Sequence, residues 1–371
     1  MTDWPIKTLG EVCEVVNGAT PKTNVKDYWG GSHAWITPAE MGNLDSPFLS
    51  ISRRTLSDQG LAACSATLVP PKTVILSSRA PIGHLVINEV PMATNQGCKS
   101  LIPKDGLNSI FLYYYLKANV ELLDSLGTGA VFKELSGTQL KTVEIPVPPL
   151  EEQKRIVALL DVATACVTEL TACYEQARTR ANNLFSSALR ESMEKCDNTT
   201  EMTLSDICIV DWGNTDLTKK SYRSNGKYLA VSATGPDGRI GHAEHKAFTP
   251  VLSAIGARCG RMFLPEEDFT AIKNTITLTP IAEVASGKYI FFLFEHLSLP
   301  IRGAAQPFIS KGDIEKFEVS VPPLEEQKRI VAKLDAIRVK TSEMVSAYDE
   351  KLIAAKNLRQ SILEAAFVGD L

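Results

Sequence analysis

The chain has 371 residues and a formal net charge of −4, with 44% hydrophobic and 22% charged residues. It is too long for one ordinary hydrophobic core, so we expect two domains. The near-neutral charge argues against a general polyanion binder, and no run of 18 or more uninterrupted apolar residues predicts a membrane span. The N-terminus has no basic region followed by an apolar run, so we expect no secretory signal. The eight cysteines show no C-x-x-C or zinc-type spacing, which predicts reduced thiols in the cytosol.

Short β-branched and aromatic runs, broken by Gly, Pro and Asn, are typical of mixed α/β domains. The predicted strands cover residues 73–77, 84–88, 143–147, 228–232 and 275–279. The predicted short helices cover residues 109–123 and 289–297. We interpret the glycine-containing segments 127–129 and 235–238 as loops rather than phosphate cradles.

A segment of fourteen residues occurs twice, as PPLEEQKRIVALLD at 148–161 and as PPLEEQKRIVAKLD at 322–335. The two copies differ at one position, and every residue is separated from its copy by 174 positions. Each copy carries helix-start signals, because two prolines are followed by two glutamates in the first turn, where the helix dipole favours carboxylates. The repeat therefore predicts a duplicated unit in which an α/β domain is followed by a helix.

Apolar residues follow both copies in steps of three and four, which is the pattern of a coiled-coil seam. The pattern predicts helices over about 150–193 and 324–366 that mate with each other in antiparallel fashion. The alternative is that each helix covers only its own domain, but about 65 Å of helix is longer than a small domain is wide. The predicted seam residues are Ile156, Leu160, Val167, Leu170, Tyr174, Leu184, Ile330, Leu334, Ile337, Met344, Tyr348, Leu358 and Ile362.

The duplication also fixes the predicted domain organisation. Residues 9–13 (LGEVC) resemble residues 204–208 (LSDIC) at an offset of 195, so the first domain is about 21 residues longer, with the surplus placed between 20 and 69. We predict an α+β fold with two mixed α/β domains, two long antiparallel coiled-coil helices and a pseudo-twofold internal repeat. The expected boundaries are 1–149 and 197–321 for the domains, and 150–196 and 322–371 for the helical spacers.

Several motifs together resemble the specificity subunit of Type I restriction–modification systems, and the resemblance covers the whole chain. They are residues 9–12 (LGEV) with 18–22 (GATPK), 28–31 (YWGG) with Trp35 and Ile36, 93–97 (ATNQG), and both PPLEEQKRIV copies. The second domain departs from the pattern, because it has 212–215 (WGNT) and 271–274 (AIKN) at the comparable places. The roles of the family's binding loops therefore carry over less well to the second domain than to the first.

The resemblance implies a non-catalytic subunit with two target recognition domains, each reading one half of a split, asymmetric double-stranded DNA sequence. The helices would set the spacing between the halves and dock two methyltransferase subunits, and restriction subunits would join for cleavage. S-adenosylmethionine, ATP and Mg would belong to those partners, in the cytoplasm of a prokaryote. The residues agree with this expectation, since the sequence has neither a GxxxxGK[ST] loop nor an Asn/Asp-Pro-Pro-aromatic motif.

Candidate DNA-binding residues are polar or cationic side chains on loops that could reach base edges or phosphates. In the first domain they are Arg53, Arg54, Ser78, Arg79, His84, Asn95, Gln96 and Lys133. In the second domain they are Lys219, Lys220, Tyr222, Arg223, Arg239, His242, Arg258, Arg261, Lys273 and Gln306. His242 and His245 flank Glu244 but lack a further ligand with suitable spacing, so we expect no metal site.

A rival interpretation is a coiled-coil scaffold that organises proteins without reading DNA. The near-neutral charge favours this alternative slightly, and the composition of the loops does not discriminate between the two. Exchange of the first domain would separate them, because a DNA reader requires one half of its target to change.

Overall fold

The computed structural model describes residues 4–44, 46–129, 133–196 and 198–369. The chain forms two compact units, one made of residues 1–174 with 351–371 and the other of residues 175–350. The first unit thus combines an α/β domain with the start of one long helix and the end of the other. The predicted boundary at 197 and both predicted chain ends lie outside the described residues.

The first unit contains ten strands and six short α-helices before the first long helix, among the described residues. The strands are β1 (Ile6–Thr8), β2 (Cys13–Asn17), β3 (Trp29–Ile36), β4 (Phe48–Leu49), β5 (Arg54–Leu56), β6 (Val74–Ser77), β7 (Leu85–Asn88), β8 (Met92–Thr94), β9 (Cys98–Pro103) and β10 (Glu144–Pro146). The helices are α1 (Leu9–Val12), α2 (Pro38–Met41), α3 (Asp58–Ala62), α4 (Ser109–Ala118), α5 (Val120–Leu126), α6 (Gly137–Lys141) and the long α7 (Leu150–Glu194).

These strands form a five-stranded sheet in the order β2-β9-β6-β7-β4, a three-stranded sheet β5-β3-β8 and a pair β1-β10. Pairing is antiparallel except between β3 and β8 and between β4 and β7. Helix α4 covers the larger sheet with buried Phe111, Leu112 and Leu116, and the start of α7 adds Ile156 and Leu160 to the same core. The domain and the long helix therefore share one hydrophobic core.

The second unit repeats this plan with fewer elements. Its strands are β11 (Thr200–Thr203), β12 (Cys208–Trp212), β13 (Tyr228–Ser232), β14 (Gly235–Ile240), β15 (Val251–Ser253), β16 (Met262–Phe263), β17 (Phe269–Ala271), β18 (Thr275–Pro280) and β19 (Glu318–Val321). Its helices are α8 (Leu204–Ile207), α9 (Gly287–His296), α10 (Lys311–Glu315) and the long α11 (Leu324–Val368). The sheets are β12-β18-β15-β16, β14-β13-β17 and β11-β19.

The two strand orders match element by element, with β4 of the first unit as the additional strand. Helices α2 and α3 and strand β4 all lie between residues 37 and 62, within the segment where the sequence predicts the surplus of the first domain. The predicted helix 109–123 is broken at Asn119, which lies between α4 and α5. The prediction of a loop at 235–238 was wrong, because these residues begin β14 and pair with β13 across a bulge.

The two long helices pack together, and each is 45 residues long with the same offset of 174. In the first unit the start of α7 shares a core with Leu363 and Phe367 near the end of α11. In the second unit Leu189 near the end of α7 shares a core with Leu334 near the start of α11. The helices therefore run antiparallel within each unit, and the α+β architecture expected from the sequence is confirmed.

The predicted seam is only partly the buried stripe of these helices. Five of its residues are buried, namely Ile156, Leu160, Val167, Ile330 and Leu334. Four are half-buried, namely Tyr174, Ile337, Tyr348 and Ile362. The other four are exposed, and their assignment was wrong: Leu170 (38% exposed), Leu184 (52%), Met344 (40%) and Leu358 (48%). A helix of 3.6 residues per turn drifts from a strict heptad, so the stripe passes instead through Thr171, Phe185 and Val345, each one position later.

Helix α7 is also long and apolar enough to cross a membrane by length and composition, the single such helix in the described ranges. Part of its apolar surface lies outside the stripe, since Leu159 and Val162 are 43% and 67% exposed. Cys166 and Cys173 on the same helix are exposed as well. The helix therefore has a second apolar face that its own unit leaves uncovered.

One glutamine in each repeat joins the long helix to its domain. The Gln153 side chain is fully buried, accepts a hydrogen bond from the backbone N–H of Asn108 (2.8 Å) and donates to the carbonyls of Gly106 (2.9 Å) and Pro148 (2.8 Å). Asn108 is the N-cap residue of α4, so the glutamine fixes the start of that helix. Gln327 forms the corresponding contacts in the second unit.

We expect Gln153→Met to lower the free energy of unfolding of the first unit by about 2–4 kcal/mol, because it leaves buried backbone groups without partners. Urea denaturation of the full chain, followed by circular dichroism, measures the loss. Glu151→Gln is the control, since its exposed ion pair with Lys154 contributes at most about 0.5 kcal/mol. Equal stability of the two variants would contradict the assigned role.

Candidate DNA-binding surface

In the first unit, the segment Gly18 to Thr20 packs against the turn that carries Asn95 and Gln96. The backbone N–H of Ala19 donates to the Thr94 carbonyl (2.8 Å), and a Cβ atom on Gly18 would lie 1.9 Å from the Asn95 carbonyl oxygen. Only glycine allows this approach. The Thr20 hydroxyl then donates to the side-chain oxygen of Gln96. The contact orients the exposed Gln96 amide at the surface.

Arg54 lies on a platform of two tryptophans. Its guanidinium carbon is 3.6 Å from the centroid of the Trp29 ring, which packs edge-on against buried Trp35. The Trp35 indole N–H donates to the Ala19 carbonyl (3.1 Å), which ties the platform to the same loop. Within the described ranges no carboxylate pairs with Arg54, so its N–H groups remain available while the stack fixes their direction. Neighbouring Arg53 is exposed and has no such support.

The other predicted residues of the first domain are more constrained. Arg79 donates to Glu134 (3.0 Å), and Lys133 pairs with Asp124 (2.6 Å). Asn95 uses its side-chain oxygen to accept from the Gly97 N–H (2.7 Å). Ser78 is fully buried, so the folded domain cannot present its hydroxyl to DNA and we exclude it from the surface. His84 is half-buried beside a different feature, a recess next to α4.

In the second unit, Asp237 organises the loops around β13 and β14. It accepts hydrogen bonds from Lys219 (2.6 Å), Tyr222 (2.6 Å) and Ser232 (2.9 Å), and from Thr234. Burial alone would raise the pKa of Asp237, but these hydrogen bonds outweigh it and hold the pKa well below the usual carboxyl range. Burial and the contact with Asp237 raise the pKa of Tyr222.

This network changes the roles predicted for two of its members. The ammonium of Lys219 is engaged with Asp237 and Thr234, and the Tyr222 hydroxyl donates to Asp237. Arg258 donates to the Thr234 carbonyl (2.6 Å) and so belongs to the same cluster. Asp237 was missed from the sequence because it lies in a segment interpreted as a loop, although its position between two glycines was a signal of a tight hairpin.

Some of the remaining predicted residues of the second domain contact a carboxylate, and the others do not. Arg239 pairs with Glu267 (2.9 Å), and His242 contacts Glu244 (3.1 Å). Five others are exposed, and no side-chain hydrogen bond or ion pair connects them to the described residues: Lys220, Arg223, Arg261, Lys273 and Gln306. In those same ranges, His, Cys, Asp and Glu form no group of three able to hold a metal ion.

We expect Asp237→Asn to destabilise the second unit by about 1 kcal/mol at pH 7, a modest value because the carboxylate is partly exposed. The folded pKa of Asp237 is lowered, so its contribution is full above the unfolded value of about 3.9 and is lost as the pH falls through the folded value. Urea midpoints should therefore differ between wild type and variant at neutral pH and converge in acid. Asp216→Asn, which changes an exposed aspartate in the loop before Lys219, is the control. A difference that persists in acid would contradict the assignment.

The chain is similar to known proteins of one family. The family model described as Type I restriction modification DNA specificity domain matches residues 1–177 and 197–347. The MjaIX specificity subunit of a Type I restriction enzyme from Methanocaldococcus jannaschii is 26% identical, over all of this chain and 94% of its own length. The EcoprrI specificity subunit from Escherichia coli is 24% identical, over 97% of this chain and 94% of its own length.

Solved structures show the same fold. A chain from a structural study of complex assembly and conformational transition of the type I R-M system matches with a TM-score of 0.83 and 21% identity, covering 99% of this chain and 98% of that one. The HsdS subunit from Thermoanaerobacter tengcongensis matches with a TM-score of 0.62 and 21% identity, covering 99% and 97%.

The family match spans both units and both copies of the repeat. In this family S-adenosylmethionine and ATP belong to the methyltransferase and restriction subunits. The chain therefore belongs to the specificity subunits of Type I restriction–modification systems, as the non-catalytic subunit that supplies DNA specificity to the complex.

Proposed function

We propose that each α/β domain reads one half of a split, asymmetric sequence in double-stranded DNA. The observation that carries this proposal is the combination of a shared scaffold with different surfaces. The two units have matching strand orders, yet the first presents Arg54 on a tryptophan platform where the second presents a network centred on Asp237. Two similar frames with different polar side chains suit two different half-sites.

Within the first domain, we assign direct base readout to Arg54 and Gln96 because both are exposed and oriented by neighbouring side chains. In the major groove an arginine can donate two hydrogen bonds to guanine, and a glutamine can donate one to adenine and accept one from it. Arg53, Arg79 and Lys133 are assigned to phosphates. In the second domain we assign the contacts to the exposed Lys220, Arg223, Arg261, Lys273 and Gln306, with Arg239, His242 and Arg258 beside them.

We also propose the domain boundaries and the partner subunits of the complex. The division into domains 1–149 and 197–321 and spacers 150–196 and 322–371 follows the repeat, with the two long helices separating the half-sites. Two methyltransferase subunits would dock on these helices, and restriction subunits would join the complex, in the prokaryotic cytoplasm. The exposed apolar side chains of α7, including Val162, support docking of a protein partner. The isolated chain should bind DNA weakly because its net charge is −4.

Exchange of residues 1–149 for the corresponding domain of a relative tests the proposal. In a complex rebuilt with its methyltransferase subunits, we expect one half of the methylated sequence to change and the other half to persist. Sequencing of methylated sites measures this, and exchange of residues 197–321 is the reciprocal control. An unchanged target, with assembly intact, would favour the scaffold that does not read DNA.

Arg53 and Arg54 provide a matched pair of neighbouring residues at the start of β5. We expect Arg54→Met to reduce discrimination at one base pair of the first half-site by about 1–3 kcal/mol, because an oriented guanidinium is lost. Arg53→Met should instead weaken binding to all sequences and reduce the slope of log K against log salt concentration by about 0.9. Fluorescence anisotropy with matched and mismatched duplexes separates these effects. Equal losses on both duplexes with Arg54→Met would exclude a base contact.

A further inference from the structure

A recess of about 640 Å³ lies in the first unit between α4, the segment after α2 and the adjoining parts of the two long helices. The cationic groups that line it are Lys117 in the last turn of α4 and Arg359 on α11, with the imidazole of His84 between sheet and helix. The side chain of Tyr113 also lines the recess. No role in DNA reading was predicted for Lys117, Tyr113 or Arg359.

The cations of this recess act on each other, and neither forms an ion pair with a described residue. Across the described ranges, neither Lys117 nor Arg359 forms a side-chain ion pair within 4.0 Å or a side-chain hydrogen bond. Burial and the charge of Arg359 lower the pKa of Lys117, and burial and the charge of Lys117 lower the pKa of His84. Lys117 is therefore influenced more by another cation than by any carboxylate.

Among the described residues, two carboxylates line the same recess without pairing with these cations. Asp161 accepts a hydrogen bond from the Tyr114 hydroxyl (2.7 Å), and Glu169 lies on the exposed side of α7. Neither lies within 4.0 Å of the Lys117 ammonium or the Arg359 guanidinium, in the part of the chain that the structure describes. The cationic end of the recess thus remains open to an external anion.

The second unit provides an internal comparison. Its α9 corresponds to α4 with an offset of 178, since the N-cap residues Asn108 and Ser286 both donate to the repeated glutamine. With the offset of 178 for the short helices, Glu295 corresponds to Lys117. With the offset of 174 for the long helices, Arg338 corresponds to Thr164. These two residues form an ion pair.

In the second unit, three aromatic rings pack against Arg338 at the position that corresponds to the recess. The Arg338 guanidinium lies over Phe185 (4.6 Å to the centroid), Phe291 (4.9 Å) and Phe292 (4.8 Å). Phe185 corresponds to Arg359, and Phe291 to Tyr113. The second unit thus neutralises and packs a position that the first unit lines with unpaired cations and a hydroxyl group.

We propose that the recess of the first unit binds a phosphate group between Lys117 and Arg359. A guanidinium offers paired N–H donors to two phosphate oxygens, and an ammonium adds a compact positive charge. His84 and Tyr113 supply further polar atoms along the wall. The phosphate would come either from a free phosphate compound or from the DNA backbone, and the second source rests on the proposed DNA-reading function.

The first arm of the test measures binding of inorganic phosphate to the full chain by calorimetry, at constant ionic strength. We expect saturable binding that Lys117→Met and Arg359→Met each weaken about tenfold or more, because a charge-assisted hydrogen bond is lost. Lys356→Met is the matched control, since it removes an exposed cation one turn earlier on the same helix. Arg359→Lys, which keeps the charge, should retain part of the binding and replaces Arg359→Met if that variant does not fold.

The second arm measures DNA affinity against salt concentration in the rebuilt complex. If the DNA backbone supplies the phosphate, Lys117→Met and Arg359→Met should each reduce the slope by about 0.9, while Lys356→Met leaves it unchanged. Phosphate binding alone assigns the recess to a free compound. If both variants match the control in both arms, the inference about the recess is wrong. The proposed function is judged separately, because it stands as long as domain exchange changes one half-site.

Discussion

The buried glutamine that follows the paired prolines is the interaction on which the arrangement of each unit depends. A long helix could rotate or slide against a sheet with little change in apolar burial, because hydrophobic contacts are not directional. The Gln153 amide removes this freedom, since its three hydrogen bonds fix the helix start to the N-cap of α4 and to the preceding loop. Gln327 does the same for α9. Packing supplies most of the stabilising energy, and the glutamine supplies the register.

The sequence predicted the parts of the fold that depend on periodicity and repetition. The helix starts followed from local signals that require no tertiary information, and strands such as β13 lay in short apolar runs between polar turns. The seam was predicted less well, because a heptad template places Leu184 inward while the real helical period exposes it. Strand β14 was missed since its Gly-Pro-Asp-Gly start is a turn signal in isolation and becomes a strand only through pairing with β13.

The candidate surface illustrates a different limit. Residue type identifies Arg54 and Lys219 as equally suitable for DNA, but their surroundings differ: one cation is stacked on an indole and the other is held by a carboxylate. Ser78 has a suitable side chain and no exposure. Which polar groups are available is decided by contacts between residues far apart in the chain, such as Arg79 and Glu134, and a single sequence does not contain that information.

The glutamine joint has a consequence for how such chains can vary. Among the described residues, the hydrogen bonds of this glutamine go only to backbone atoms in both units, namely an N–H at the helix N-cap and carbonyls of the flanking loops. Because these hydrogen bonds go to the peptide backbone, they do not depend on which side chains the loops of the domain carry. Because fourteen residues around the joint are nearly identical in the two copies, the same joint holds two α/β domains whose polar surfaces differ.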